Sequence, residues 1–135
     1  MQLEQIDLDG TVVPGDTIDV CPAIYYDGDM RGLLFMRVRV PVLSDGSSVY
    51  SWTAEEGWTK LTEGNGYVVY GFNSVLESEA TSNVLTNGMT MVEMSGSEYK
   101  TINDINVTVD GWLAYCQEYG DSADINIWNR IVNGQ

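Results

Sequence analysis

The groups able to do chemistry in this 135-residue chain are carboxylates, hydroxyls, thiols and aromatic rings; imidazole is missing, because the sequence has no histidine. A serine–histidine–aspartate relay and a histidine-based zinc site are therefore out of its reach. Cys21 and Cys116 are the two cysteines, and their wide separation fits neither a metal-binding nor a redox spacing. They meet as a disulfide if the first and last long strands are neighbours, or else they serve as two small buried apolar residues. No Gly-Lys-Ser type of loop is present to cradle phosphate. Catalysis would have to run on carboxylates alone, as in glycoside hydrolysis. The acidic residues Glu55-Glu56, Glu77, Glu79 and Glu98 fall in loop-like stretches where nothing pairs them. No catalytic residue, metal ligand or cofactor is assigned, and a non-enzymatic protein is expected.

Two short acidic stretches, Asp7-Leu8-Asp9-Gly10 and Asp27-Gly28-Asp29, have a calcium-loop flavour. They lack the further oxygens at fixed steps and the closing glutamate of an EF-hand, so solvated turns are the expectation. The aromatic residues are a stronger signal, with 4 tryptophans and 8 tyrosines. Trp52 and Trp58 flank Thr53-Ala54-Glu55-Glu56-Gly57, and Tyr67 and Tyr70 follow. Trp52, Trp58 and Tyr70 are candidates to stack on a glycan; the competing reading is that these rings close one end of the core. Arg37 and Arg39 form the only basic pair on a predicted strand. Either they pair with carboxylates of a neighbouring strand, or they receive an acidic patch of another subunit.

The elements that would position these residues are strands. In Leu34-Phe35-Met36-Arg37-Val38-Arg39-Val40-Pro41-Val42 the side chains alternate. Met36, Val38, Val40 and Val42 share one face, and Phe35, Arg37, Arg39 and Pro41 share the other. This predicts a half-buried antiparallel strand. Because Pro41 has no N–H to donate, the strand is expected at an edge or bent there. Further β-rich stretches cover 17–26, 66–72, 83–94 and 105–117. Turn signals separate them, among them Pro14-Gly15-Asp16, Ser44-Asp45-Gly46, Asn65-Gly66, Asn87-Gly88 and Ser95-Gly96-Ser97. Asp110-Gly111 interrupts the last stretch, which reads as a hairpin or a bulged strand. One C-terminal helix is predicted, capped by Asp121 or Ser122, with Ile125, Trp128, Ile131 and Val132 on one face and Asn133-Gly134 ending it. Ile125-Asn126-Ile127-Trp128 also alternates, which leaves a short strand open. The pattern as a whole is all-β, an antiparallel sandwich with a short C-terminal helix, in a single domain over residues 1–135.

An apolar fraction of 44% with 19% charged residues indicates a folded chain. The formal net charge of −14 repels phosphate backbones and anionic bilayers, so nucleic acid is not an expected partner. No run approaches the roughly 20 apolar residues needed to span a bilayer, so membrane insertion is not expected either. Residues 1–10 lack the basic and apolar regions of a signal peptide, so an exported form is expected to have lost its leader.

Four stretches, in their order, resemble the TasA/camelysin family of exported bacterial surface and biofilm-matrix proteins. They are Val13-Pro14-Gly15-Asp16-Thr17-Ile18; the arginine–valine strand of residues 34–42; and Gly57-Trp58 followed by Gly66-Tyr67-Val68-Val69-Tyr70-Gly71, Val75-Leu76 and Ala80-Thr81-Ser82-Asn83-Val84-Leu85. The fourth is Ile105-Asn106-Val107-Thr108-Val109 with Gln117 and Trp128. The resemblance spans residues 11–131. It implies a jelly-roll-like β-sandwich, secreted through a SipW-type signal peptidase to the cell surface or matrix of a Gram-positive bacterium. It also implies self-association into fibres by donation of an N-terminal strand, a form of β-augmentation. Residues 1–13 would be that strand, with Leu3, Ile6, Leu8, Val12 and Val13 as its apolar contacts; alternatively they complete their own sheet. Arg37 and Arg39 would join the subunit interface. The metalloprotease activity ascribed to camelysin has no histidines here to support it. The rival expectations are a carbohydrate-binding β-sandwich module and a phage or viral jelly-roll structural protein.

Overall fold

A computed structural model describes residues 2–6, 12–26, 28, 30–100, 102 and 106–133. The strands, in chain order, are β1 (Gln2–Ile6), β2 (Thr17–Ile18), β3 (Tyr25–Tyr26), β4 (Gly32–Arg39), β5 (Tyr50–Ser51), β6 (Trp58–Gly64), β7 (Tyr67–Phe72), β8 (Ala80–Thr81), β9 (Met89–Met91) and β10 (Val107–Tyr115). The helices are α1 (Gly96–Tyr99), α2 (Cys116–Tyr119) and α3 (Ile125–Asn133). One sheet has five strands in the order β1-β10-β4-β7-β6; a second has the order β2-β9-β5, and β3 pairs with β8. Every one of these pairings is antiparallel. The result is the expected all-β, sandwich-like fold with a C-terminal helix.

The alternation of residues 34–42 becomes β4, and of the two expectations, an edge position or a bend at Pro41, the edge position is not found. β4 lies between β10 and β7, and both its faces are covered. Leu34, Met36 and Val38 enter the larger core with Val20, Val49, Leu85, Met89, Met91, Val107 and Val109. Leu33 and Phe35 enter a second cluster with Val69, Ala114 and Trp128. The strand is therefore central, and it stops at Arg39, before Pro41. The chain around Pro41 pairs locally instead: Val40 donates its N–H to the Gly66 carbonyl at 2.8 Å, and the Pro41 carbonyl accepts from Val49 at 3.0 Å.

Asp110-Gly111 neither turns nor bulges β10. Its register with β4 runs unbroken from Thr108↔Arg39 to Tyr115↔Gly32. The irregularity lies in β1, between Gln2 and Glu4. The stretches 17–26 and 83–94 give only short strands, because Pro22 and Ser82 interrupt regular pairing. Pro22 offers only a carbonyl, which accepts from Leu85 at 2.8 Å. The Ile24 N–H donates to the Ser82 hydroxyl at 2.9 Å in place of a backbone partner. At the β6–β7 turn, Asn65-Gly66 behaves as its sequence suggests: Gly66 has φ +79°, and a Cβ there would sit 2.9 Å from the Val40 carbonyl oxygen.

The C-terminal segment is a helix, not a strand. Its cap is Asp124, whose Oδ1 accepts from the Ile127 N–H at 3.0 Å; Asp121 and Ser122 lie too early in the chain for that bond. Trp128 is buried between Phe35, at 5.6 Å between ring centroids, and Trp112, at 4.9 Å edge-on. Ile125 and Ile131 pack beside it. Val132 remains 48% exposed, since the buried stripe of α3 is narrower than expected. The chain entering α3 touches the sheet at Gly71, where a Cβ would lie 2.4 Å from the Ala123 carbonyl oxygen.

Cys21 and Cys116 are both free, the first exposed and the second half-buried. They form neither a disulfide nor a buried apolar pair. Cys21 lies between β2 and β3, outside the sheet that contains β10, so the neighbouring strands that a bridge needs do not occur. If the outer cluster holds α3 as described, Trp128→Ala lowers the unfolding free energy in urea by about 3–5 kcal/mol. Val132→Ala, on the exposed side, changes it by no more than about 0.5 kcal/mol.

Candidate functional site

The N-terminal strand is an edge. β1 pairs with the chain's own β10 through Gln2↔Asp110, Glu4↔Val109, Gln5↔Thr108 and Ile6↔Val107. Of the residues expected to contact a second subunit, Leu3 and Ile6 lie on β1, and Leu8 falls outside the described residues. Val12 is a core residue, 7% exposed, and its carbonyl accepts from the Tyr99 hydroxyl. Its side chain thus packs within its own domain. Val13 is 48% exposed, and its N–H donates to Asp16 Oδ2 at 3.1 Å. The opposite edge, β6, has a register shift between Lys60 and Thr62 and a Lys60–Glu63 ion pair at 3.3 Å. Irregular, charged edges resist simple edge-to-edge pairing.

Arg37 and Arg39 converge on one carboxylate of the neighbouring strand. Asp110, directly across from Arg37 in the register, is buried. Its Oδ2 lies 3.0 Å from Arg37 Nη2 and 3.1 Å from Arg39 Nε. The Arg37 guanidinium also sits over the Trp112 ring, 5.1 Å from its centroid. The intramolecular alternative therefore describes both arginines. Arg37 Nε is buried without an acceptor among the described residues. Beside it, Thr62, Tyr67, Asn129 and Val132 line a depression of about 300 Å³ between α3 and the sheet. Two guanidiniums on one carboxylate leave a local positive excess, which can order the sheet surface and attract an anion.

The three aromatic candidates separate by burial. Trp58 is 6% exposed, its ring 4.8 Å from Phe72 and its Nε1 donating to the Asn83 carbonyl at 3.0 Å. Tyr70 is equally buried and accepts from Trp52 Nε1 at 2.8 Å. Burial pushes the Tyr70 phenol above its ordinary pKa, against the opposing hydrogen bond from Trp52. Trp58 and Tyr70 therefore belong to the core and offer no face for stacking. Trp52 is half-buried and borders a depression of about 370 Å³ together with Thr17, Ser51, Thr53, Glu55, Thr86, Asn87, Gly88 and Thr90. Nothing in the sequence joins Thr17 to Thr90; only the β2–β9 pairing brings them together, with their hydroxyls 3.0 Å apart.

The acidic residues singled out earlier are dispersed. Glu77 pairs with Arg31 at 3.0 Å, and Glu98 accepts from the Ser44 backbone and hydroxyl at 3.1 and 2.9 Å. Asp7, Asp9, Asp27 and Asp29 fall outside the described residues. Among the described residues, no group of three or more acidic or thiol side chains is placed to hold a metal ion. No helix among them is long and apolar enough to cross a membrane. The chain matches no family model, no curated protein and no solved structure. Edges, the arginine pair and the Trp52 depression are thus the features from which a function can be built.

Two measurements check this description. Asp110→Asn leaves a partly buried guanidinium without its counter-charge and costs about 1–3 kcal/mol in urea unfolding. Glu77→Gln, on an exposed ion pair, costs less than about 0.5 kcal/mol. The thiols also divide. Burial raises the Cys116 thiol above its ordinary pKa, outweighing the opposing pull of Arg31. A raised pKa means less thiolate at any given pH, so iodoacetamide at pH 8 modifies the exposed Cys21 before Cys116. The reverse order, read by peptide mapping, would contradict the placement.

Proposed function

We propose that this protein is a non-catalytic structural subunit of an extracellular matrix or cell surface, and that copies assemble by exchanging β1. The observation that carries the reading is the position of β1: it is the terminal strand of the five-stranded sheet, and among the described residues it pairs with β10 alone. The remaining strands, β10-β4-β7-β6, form a continuous sheet without it. A β1 supplied by another copy would remake the same hydrogen bonds in trans, so exchange costs little beyond association. The register shift between Gln2 and Glu4 weakens the pairing in cis. Direct addition at the β6 edge is disfavoured by its own irregularity and charge. A copy that donates β1 to one neighbour and accepts β1 from another is linked head-to-tail, and such links grow into open fibres where the rotation between copies does not close.

The resemblance to TasA/camelysin proteins supports the same reading, and with it a location outside a Gram-positive cell. The acidic surface keeps such a subunit soluble before assembly. Asp110 lies on β10, the strand that would accept β1, and Arg37 and Arg39 of the neighbouring β4 hold it in register.

Negative-stain imaging of the purified chain over time tests the proposal. The full chain grows fibres, whereas a chain lacking residues 1–11 remains folded by circular dichroism and grows none. A peptide of residues 1–13, added to the shortened chain, binds it and caps it as a one-to-one complex. Fibres from the shortened chain, or a full chain that stays monomeric under all conditions, would refute the exchange.

A further inference from the structure

We infer that the depression beside Trp52 is a binding site for a neutral oligosaccharide. Its floor is the outer face of the β2-β9-β5 sheet. Thr17 and Ser51 both lie opposite Thr90 in register, so the three hydroxyls form a row across three strands. Neighbouring strands are about 4.8 Å apart, a spacing on the scale of one sugar ring. Cross-strand partners project to the same face. Thr17 and Thr90 are already hydrogen-bonded at 3.0 Å, which orients their hydroxyls while leaving further acceptor capacity on each oxygen.

The walls are as well held as the floor. Trp52 is anchored by the bond from its Nε1 to the buried Tyr70 hydroxyl, so its ring meets a ligand already oriented. The loop after it is tied down by the Glu55 N–H donating to the Leu85 carbonyl at 2.7 Å. Opposite, the buried Thr86 donates its hydroxyl to the Gly88 carbonyl at 3.1 Å, which fixes the turn before β9. A volume of about 370 Å³ is at the small end of ordinary ligand sites.

Charge selects the ligand class. Among the described residues, Glu55 is the only ionisable one around the depression and no cation borders it; the chain carries −14 overall. Anionic ligands are repelled, and among the described residues phosphate or sulfate finds no cationic partner there. Hydroxyls, one amide from Asn87, one carboxylate and one fixed aromatic ring match an uncharged polyol ring, which offers hydroxyl edges and an apolar face. An extended peptide would pair along the outer edge of β2 or β5, whereas the depression opens over the face of the sheet, where side-chain hydroxyls are presented.

The site uses no residue of the strand exchange, because β2, β9 and β5 belong to a separate sheet from β1 and β10. The two readings therefore fail independently. Calorimetry of the full chain against neutral gluco-, xylo-, manno- and N-acetylglucosamine tetramers, with a tetragalacturonate as the acidic counterpart, tests it. At least one neutral tetramer binds and shifts tryptophan emission, and the acidic tetramer does not. Trp52→Ala weakens that binding by about tenfold or more. Thr90→Val, which keeps the shape and removes one hydroxyl of the row, weakens it several-fold. It also serves as the readout if Trp52→Ala fails to fold. No neutral tetramer binding at millimolar concentration, equal binding by both variants, or preference for the acidic tetramer would each overturn the inference. Fibre growth by Trp52→Ala is unchanged.

Discussion

The register between β4 and β10 is the constraint on which the rest of the molecule depends. β4 is covered on both faces, so a slip of one residue would drive Arg37 and Arg39 into the larger core and expel Met36 and Val38. Hydrophobic burial on the two sides already opposes that slip. Asp110 adds a polar lock, because in this register its buried carboxylate meets Arg37 directly opposite and Arg39 on the same oxygen. The two terms differ in kind. Burial of leucine, valine and phenylalanine stabilises many compact arrangements, whereas a buried carboxylate held by two particular arginines selects among them. The same register places Phe35 and Trp112 under Trp128, so the seat of α3 follows from it.

Much of this was legible in the sequence, and the limits are instructive. The period-two runs at 34–42, 66–72 and 105–117 became β4, β7 and β10, the strands whose apolar residues recur without interruption. The helix was legible from Ile125, Trp128 and Ile131, although its cap, Asp124, was masked by earlier polar residues of equal capping power. Position within the sheet was not legible. A strand with two arginines and a proline looks peripheral until Asp110 and Trp112 are known to lie beside it. The stretches 17–26 and 83–94 read as long strands because composition does not show where Pro22 and Ser82 divert the hydrogen bonds.

The aromatic residues show the same limit from another side. Trp52, Trp58 and Tyr70 are indistinguishable by type, and loop-like surroundings suggested one shared surface. Burial divides them: Trp58 and Tyr70 build the core, and Trp52 hangs from Tyr70 at its margin. The hydroxyls around Trp52 come from distant parts of the chain, brought together by two short antiparallel pairings. Sites assembled from long-range sheet contacts leave no local trace. The proposed assembly strand and the proposed sugar site accordingly differ in how early each could be noticed: one is a contiguous terminal segment, the other a meeting of strands.

Gly71 fixes how closely the end of the chain can approach the sheet. A Cβ there would lie 2.4 Å from the carbonyl oxygen of Ala123, so any larger residue forces the backbone entering α3 away from β7. The tolerance of the C-terminal segment to change is therefore set in part on a strand far earlier in the chain, and not within the helix alone.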